Sequence, residues 1–488
     1  MRGDAVGALP GDPRDDRGPR VRRLRRPGVV VHAAQAGAHG AAERREPEVT
    51  AGPPRVVVCG GGLAGIAAAC EAALLGARVT LVERRPFLGG RAFSFADPGT
   101  GREIDNGQHV YLGCCPAYVS LLRMLGTLGL TTLQRRLDTP VRDRDGRRGA
   151  LRAGRLPAPL HLGPSFLAYP HLTAGEKASA LRALAALAAT THASRERLDE
   201  VGFADWLGDH GQGERAIARF WDLIVLPTCN DRSDRVSAGL AAFVFHEGFL
   251  RTAGGSAIGW SRVGLTHLVD PAARGWLAAR GGEVLTGRGV ATVEPGAVTL
   301  TDGERLEADA VVLAVPPSRV LEVAPGAMPA GDPGLGSAPI VNVHLWYDRP
   351  VMDDPFTAVL DSPAQWIFNR SAMGSAGDAG GAHHLAVSIS GARDEIDVPR
   401  AELAAALRAE VEHLLPAARG AELVDVAVVK EPQATFAAAP GQAARRPGPA
   451  TPLDGVALAG AWTATGWPAT MEGAVRSGIR ASRTLLGG

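Results

Sequence analysis

Apolar positions along this chain follow two strand rhythms and a helical one. Short uninterrupted runs, Val56-Val57-Val58-Cys59, Arg78 to Val82, Ala308 to Pro317 and Val456 to Leu458, read as strands buried on both faces. Strict alternation over Ile340 to Tyr347, Phe356 to Leu360, Gln365 to Asn369 and Leu385 to Ser390, with Leu423 to Val429, reads as an antiparallel sheet. Helical spacing marks Leu63 to Leu75, stopped by Gly76, then Pro116 to Leu125, Leu265 to Arg280, Glu402 to Leu415 and a stretch opening at Met471. Residues 125–260 read as mostly helical, after an extended, proline-broken stretch from Leu151 to Leu167. The Ala/Leu-rich segment Ala174 to Ala189 shows no basic face and is expected to be a core helix.

Strand, helix, strand at the front of the chain and a further strand pair near residues 283–317 read as an α/β fold with a Rossmann-like domain, into which a mixed antiparallel sheet and helices are inserted. The expected division is a low-complexity leader over 1–53, the dinucleotide-binding domain over 54–112, 262–320 and 450–488, a helical insert over 113–261 and a sheet insert over 321–449. The leader is rich in Arg, Pro, Gly and Asp with no periodic apolar face. Arg22-Arg23 and Arg25-Arg26 precede an apolar run too short for an export signal.

Composition narrows the partners. The 488 residues carry 52 Lys+Arg and 51 Asp+Glu, so charge gives no warrant for nucleic acid. Cys59, Cys70, Cys114, Cys115 and Cys229 are odd in number and form no C-x-x-C pair, which speaks against a disulfide framework or a metal site and for a reducing compartment. With no apolar run long enough to span a bilayer, the expectation is a cytoplasmic protein whose membrane contact, if any, is peripheral and on the inner face.

The first buried strand runs into Gly60, Gly62 and Gly65 on the G-x-G-x-x-G spacing. The first glycine permits the tight turn, the second admits a pyrophosphate to the backbone, and the third lets the helix pack on the strand. The helix beginning at Leu63-Ala64 offers unpaired N–H groups to phosphate. Glu83, at the end of the second strand, suits a ribose hydroxyl and repels a 2′-phosphate. Gly89-Gly90-Arg91 then supplies a second flexible turn and a guanidinium.

The turn together with the extension RPFLGGR resembles the two-dinucleotide-binding flavoproteins of the amine oxidase and phytoene desaturase superfamily. The strings IDNGQHVYLG, VNVHLWYDRPVM and WPATMEGAVRSG are similar to one branch of it, the squalene-associated hydroxysqualene dehydroxylases. That resemblance implies FAD, held at Gly60, Gly62, Leu63, Ala64, Gly65, Glu83 and Arg84, at Gly89, Gly90 and Arg91, and at Gly107, Gln108 and His109. It further implies adenine contact by the Val290 backbone, and flavin contact by Gly460, Ala461, Pro468, Ala469, Thr470 and Met471. Ala461 departs from the pattern, since many relatives carry Asp there for the ribitol.

The activity implied is reduction of hydroxysqualene to squalene with loss of water, on a long-chain isoprenoid substrate and with a separate electron donor. Asp105 and His109, with Glu472 third, are the candidate acids for water loss; Asp105 would need an apolar site to hold a proton. The competing reading of Asp105, Asn106 and Gln108 is a hydrogen-bonded turn beside the flavin. Two other functions fit the scaffold: a carotenoid-type desaturase or isomerase using oxidised FAD, and a non-redox prenyl-lipid carrier.

Overall fold

The computed structural model describes residues 52–374 and 381–487. Its two main sheets use strands which, in chain order, are β1 (Arg55–Cys59), β2 (Arg78–Glu83), β3 (Asp138–Asp143), β4 (Arg148–Arg152), β5 (Glu283–Thr286), β6 (Ala310–Leu313), β7 (Ala338–Tyr347), β8 (Phe356–Leu360), β9 (Trp366–Asn369), β10 (His383–Ser390), β11 (Leu423–Thr435) and β12 (Val456–Leu458). The helices that matter below are α1 (Leu63–Leu74), α2 (Pro116–Leu125), α3 (Gly163–Ala168), α4 (Ala174–Ala188), α5 (Leu265–Ala278) and α6 (Met471–Leu486).

The first sheet has the order β5-β2-β1-β6-β12, with every pairing parallel. Helices must cross between parallel strands, so both faces of such a sheet are covered, and β1 and β6 are buried along nearly their whole length. One face meets α1, α5 and α6. The other is covered by a small antiparallel sheet, Val290–Glu294, Ala297–Leu300 and Arg305–Glu307, and by Val320 and Val323.

α1 and α6 pack backbone to backbone. A Cβ added at Gly478 would stand 2.0 Å from the Ala64 carbonyl oxygen, so only glycine permits the approach. Ser482 Oγ donates to the Ala68 carbonyl at 2.8 Å, and Arg483 pairs with Glu71 at 2.6 Å. Ten of the twelve α1 residues are buried as a result.

The second sheet has the order β11-β7-β10-β9-β8-β3-β4, antiparallel except between β8 and β3. One face packs on the helical part around Phe203, Trp221 and Phe245, the other on Arg400–Leu414. Residues 125–260 are largely helical, yet they also lend the hairpin β3–β4 to this sheet. The stretch from Leu151 is not extended throughout: a 3-10 turn, Leu160–Leu162, leads into α3. Pro164 sits in the first turn of α3, where its missing N–H costs nothing, so a residue that reads as a breaker here opens a helix.

The larger correction concerns α4. Thr173 opens it with a capping box to Glu176, but only Ser179, Ala180, Ala183 and Leu187 of its fifteen residues are buried. It is a surface helix with an apolar outer side, because no element among the described residues covers that side. The expected leader, 1–53, lies almost wholly outside the described residues.

Candidate FAD and substrate site

The carboxyl ends of β1, β6 and β12 converge, which is where parallel sheets bind ligands. Gly60 leaves β1 with φ +110, and a Cβ there would lie 2.5 Å from the Ala314 oxygen just past β6. At Gly65 a Cβ would meet the Gly60 oxygen at 1.8 Å, so the helix start is pressed onto the turn. The second glycine pair folds back over the first: Gly89 N donates to the Gly61 carbonyl at 2.9 Å, and a Cβ on Gly90 would touch the Gly62 Cα at 2.7 Å. These two sequence motifs therefore form one bare backbone cradle.

Glu83 is buried against that cradle, accepting from Gly61 N at 2.7 Å and Arg85 N at 2.9 Å. A carboxylate has about four acceptor sites, so two remain for hydroxyl donors. Arg84 is exposed; it is Arg85 that is built into the cradle, donating to the Gly90 carbonyl at 2.8 Å and lying 4.6 Å over Phe93. Arg91 makes no hydrogen bond or ion pair with any described residue. The surrounding protein holds its guanidinium below the usual arginine range, partly offset by Glu431. Val290 pairs with Leu300, and its carbonyl accepts from Arg319.

At the other side of the cradle, Gly460 adopts φ +145, and a Cβ there would strike the Trp462 ring at 2.4 Å. Its N–H donates to Ser477 of α6 at 2.8 Å. Thr470 caps α6, accepting from Gly473 N at 3.1 Å, which leaves Met471 at a helix N-terminus. The loop between is organised by Arg446. Its buried guanidinium donates to the carbonyls of Ala461 (2.8 Å), Trp467 (2.8 Å) and Trp462 (3.3 Å), and to that of Thr463. Those partners are all neutral, and burial pushes this arginine down to about 10. The chain thus places a cation behind Ala461. Alternating patterns do not reveal such a residue; its one signal is an Arg-Pro-Gly turn ahead of the last strand.

The dense polar string Ile104 to His109 forms a buried network with the second sheet. Asp105 accepts from Ser94 Oγ at 2.6 Å and from Leu265 N, at the start of α5, at 3.0 Å; its other oxygen pairs with Arg370 at 2.9 Å. Arg370 also donates to Gln108 Oε1 at 3.2 Å, and Gln108 N donates to Asn342 of β7 at 3.4 Å. Asn342, His344 and Trp346 share one face of β7, and His344 Nδ1 lies 3.0 Å from His384 Nε2. Burial lowers both imidazoles, His344 to about 4. The polar positions within the alternation of β7 were the available signal for this network.

Two of the three candidate acids are occupied. Every partner of Asp105 donates to it, so the carboxylate braces the loop, in line with the hydrogen-bonded-turn reading. Glu472 is fully buried and caps α2, accepting from Ala117 N (3.1 Å) and Tyr118 N (2.8 Å), and it pairs with Arg476 at 2.6 Å. His109 differs. Its Nδ1 lies 2.8 Å from the Gly107 carbonyl, an acceptor, so Nδ1 carries a proton and Nε2 is left open.

A bare glycine cradle, an unpaired arginine and a capped helix N-terminus at the ends of parallel strands define a dinucleotide-dependent oxidoreductase. The chain belongs to the flavin-containing amine oxidoreductase family, which matches residues 63–486. FAD is accordingly its cofactor. The residues fit that group: Gly62 and Gly90 join the two turns into a bare backbone surface, Arg91 makes no ion pair with a described residue, and the loop over Ala461 has cationic support. The chain is 33% identical over 452 residues to a hydroxysqualene dehydroxylase of Rhodopseudomonas palustris, covering 88% of this chain and 98% of that protein. It is 28% identical to a zeta-carotene desaturase of Zea mays, covering 91% and 85%. Among solved structures, an oxidoreductase from Methanosarcina mazei superposes with a TM-score of 0.68 at 16% identity, covering 87% of this chain and 99% of that one, a likeness of fold.

Proposed function

We propose that the protein reduces hydroxysqualene to squalene with loss of water. The observation that carries this is the near full-length match to a hydroxysqualene dehydroxylase, at higher identity than the match to the carotenoid desaturase. When bound in its reduced form, FAD would supply the hydride, so that hydroxysqualene and FADH2 would give squalene, water and FAD. The chain's own residues bind and orient. The glycine cradle, Glu83 and Arg91 hold the dinucleotide, and Asp105, tied to Arg370 and α5, fixes the loop bearing His109. With Nδ1–H held by the Gly107 carbonyl, a doubly protonated His109 would lend its Nε2 proton to the departing allylic hydroxyl, and the proton released with the flavin's hydride would replace it. On this reading the protein works in the cytoplasm, takes its long isoprenoid from the inner face of a membrane, and is reloaded by a separate electron donor.

The test is anaerobic incubation of hydroxysqualene with the holoenzyme and a chemical reductant, followed by product analysis. Squalene is expected. Its absence, with desaturation of a carotenoid precursor by the oxidised holoenzyme instead, would establish the desaturase reading that the Zea mays likeness keeps open. His109→Ala should lower turnover roughly 100-fold or more with flavin still bound, the usual worth of a positioned acid.

A further inference from the structure

Ten large apolar side chains are exposed among the described residues, and four of them, Leu156, Leu160, Leu167 and Leu181, at 45–62% exposure, fall in one short segment. Leu160 to Ala168 is a continuous helical run, a 3-10 turn followed by α3, so Leu160 and Leu167, two turns apart, project to the same side. Lys177 Nζ of α4 donates to the Leu167 carbonyl at 2.6 Å. Leu181 lies one turn beyond Lys177 on the same face of α4. Pro157, Pro159, Pro164, Ala168, Ala178 and Ala185 are exposed in the same segments, interleaved with the exposed Arg155 and Arg182. Contiguous exposed apolar surface of this kind marks a contact with something else.

The charges decide what. From Gly146 to Thr190 the cations are Arg147, Arg148, Arg152, Arg155, Lys177 and Arg182, of which Arg152 is paired with Asp138, whereas Glu176 is the one acid. Glu176 is already spent on its cap and on Arg215. The chain as a whole is balanced, 52 basic against 51 acidic, so the asymmetry is local. A second copy docking symmetrically would bring two such basic faces together, a like-charge arrangement that costs stability. An anionic bilayer satisfies both features, because leucines enter the acyl boundary while arginine and lysine reach back to the headgroups.

We propose that residues 152–182, through α3 and α4, dock the protein on an anionic lipid surface. The docking face is separate from the FAD cradle and does not depend on which isoprenoid is the substrate.

The experiment is co-sedimentation of the FAD-loaded protein with phosphatidylglycerol/phosphatidylcholine vesicles and with pure phosphatidylcholine vesicles. Binding to the anionic vesicles is expected, weaker by about tenfold or more on the neutral ones. Leu160→Asp with Leu167→Asp, and separately Arg155→Glu with Arg182→Glu, should each weaken anionic-vesicle binding by about tenfold. Both doubles should keep flavin absorbance and the melting temperature, which separates loss of docking from loss of folding. Wild-type protein left in the supernatant, or variants that bind as well as wild type, would overturn the proposal. So would a concentration-dependent dimer that Leu160→Asp/Leu167→Asp dissociates while vesicles bind neither protein.

Discussion

α1 and α4 are both built mainly from alanine and leucine, yet one is the most enclosed helix described above and the other lies on the surface. α1 buries ten of twelve residues, α4 four of fifteen. The difference lies in their neighbours. α1 is held between a parallel sheet and α6, whose Gly478 lets the two backbones touch. α4 has a core on one side only. Apolar composition permits burial; the chain's topology decides whether a partner arrives to provide it.

The largest expected break in that comparison is Gly478→Val, which drives a side chain into the Ala64 carbonyl. It should cost at least about 3 kcal/mol and release FAD, read by denaturant titration and by flavin retained on gel filtration. Ala178→Leu on the outer side of α4 should stay within about 0.5 kcal/mol of wild type. Next, Ile66→Ala should cost about 2–5 kcal/mol and Leu181→Ala within about 0.5 kcal/mol; equal losses would refute the contrast.

Titratable groups sharpen it further. His344 is buried and held down to about 4, below its ordinary 6.5, so the unfolded chain binds more protons than the folded one between those values. Stability should therefore be fully present above about pH 6.5 and fall as pH drops toward 4, by on the order of 3 kcal/mol. His344→Gln should flatten that slope in urea titrations run from pH 7 to 4.5. Thr173→Ala, which removes the capping box of α4, should cost about 1 kcal/mol, seen as a small fall in melting temperature.

Continuous apolar runs made β1, β2, β6 and β12 legible, and period-2 alternation did the same for β7 to β10, because burial on two faces or on one imposes those patterns directly. The two glycine motifs were readable for the same kind of reason, since their spacing is a backbone requirement. The exposure of α4 was not. Its sequence lacks a polar stripe, and a helix against lipid carries the same pattern as one in a core. Asp105 and Glu472 could not be separated from catalytic acids, because their partners, Arg370 and the α2 N–H groups, lie 265 and some 354 residues away. Arg446 escaped because its role rests on carbonyl oxygens, which every residue possesses.

The contact of Ser482 with Ala68 joins positions 414 residues apart. At typical synthesis rates the ribosome needs on the order of 20–80 s to travel that distance. For that interval the first helix of the nascent chain has made its glycine turn but lacks the surface that covers it. β12 is also still missing from the sheet. The cradle's sheet and the cover of its first helix are thus completed only by the last elements of the chain to be made.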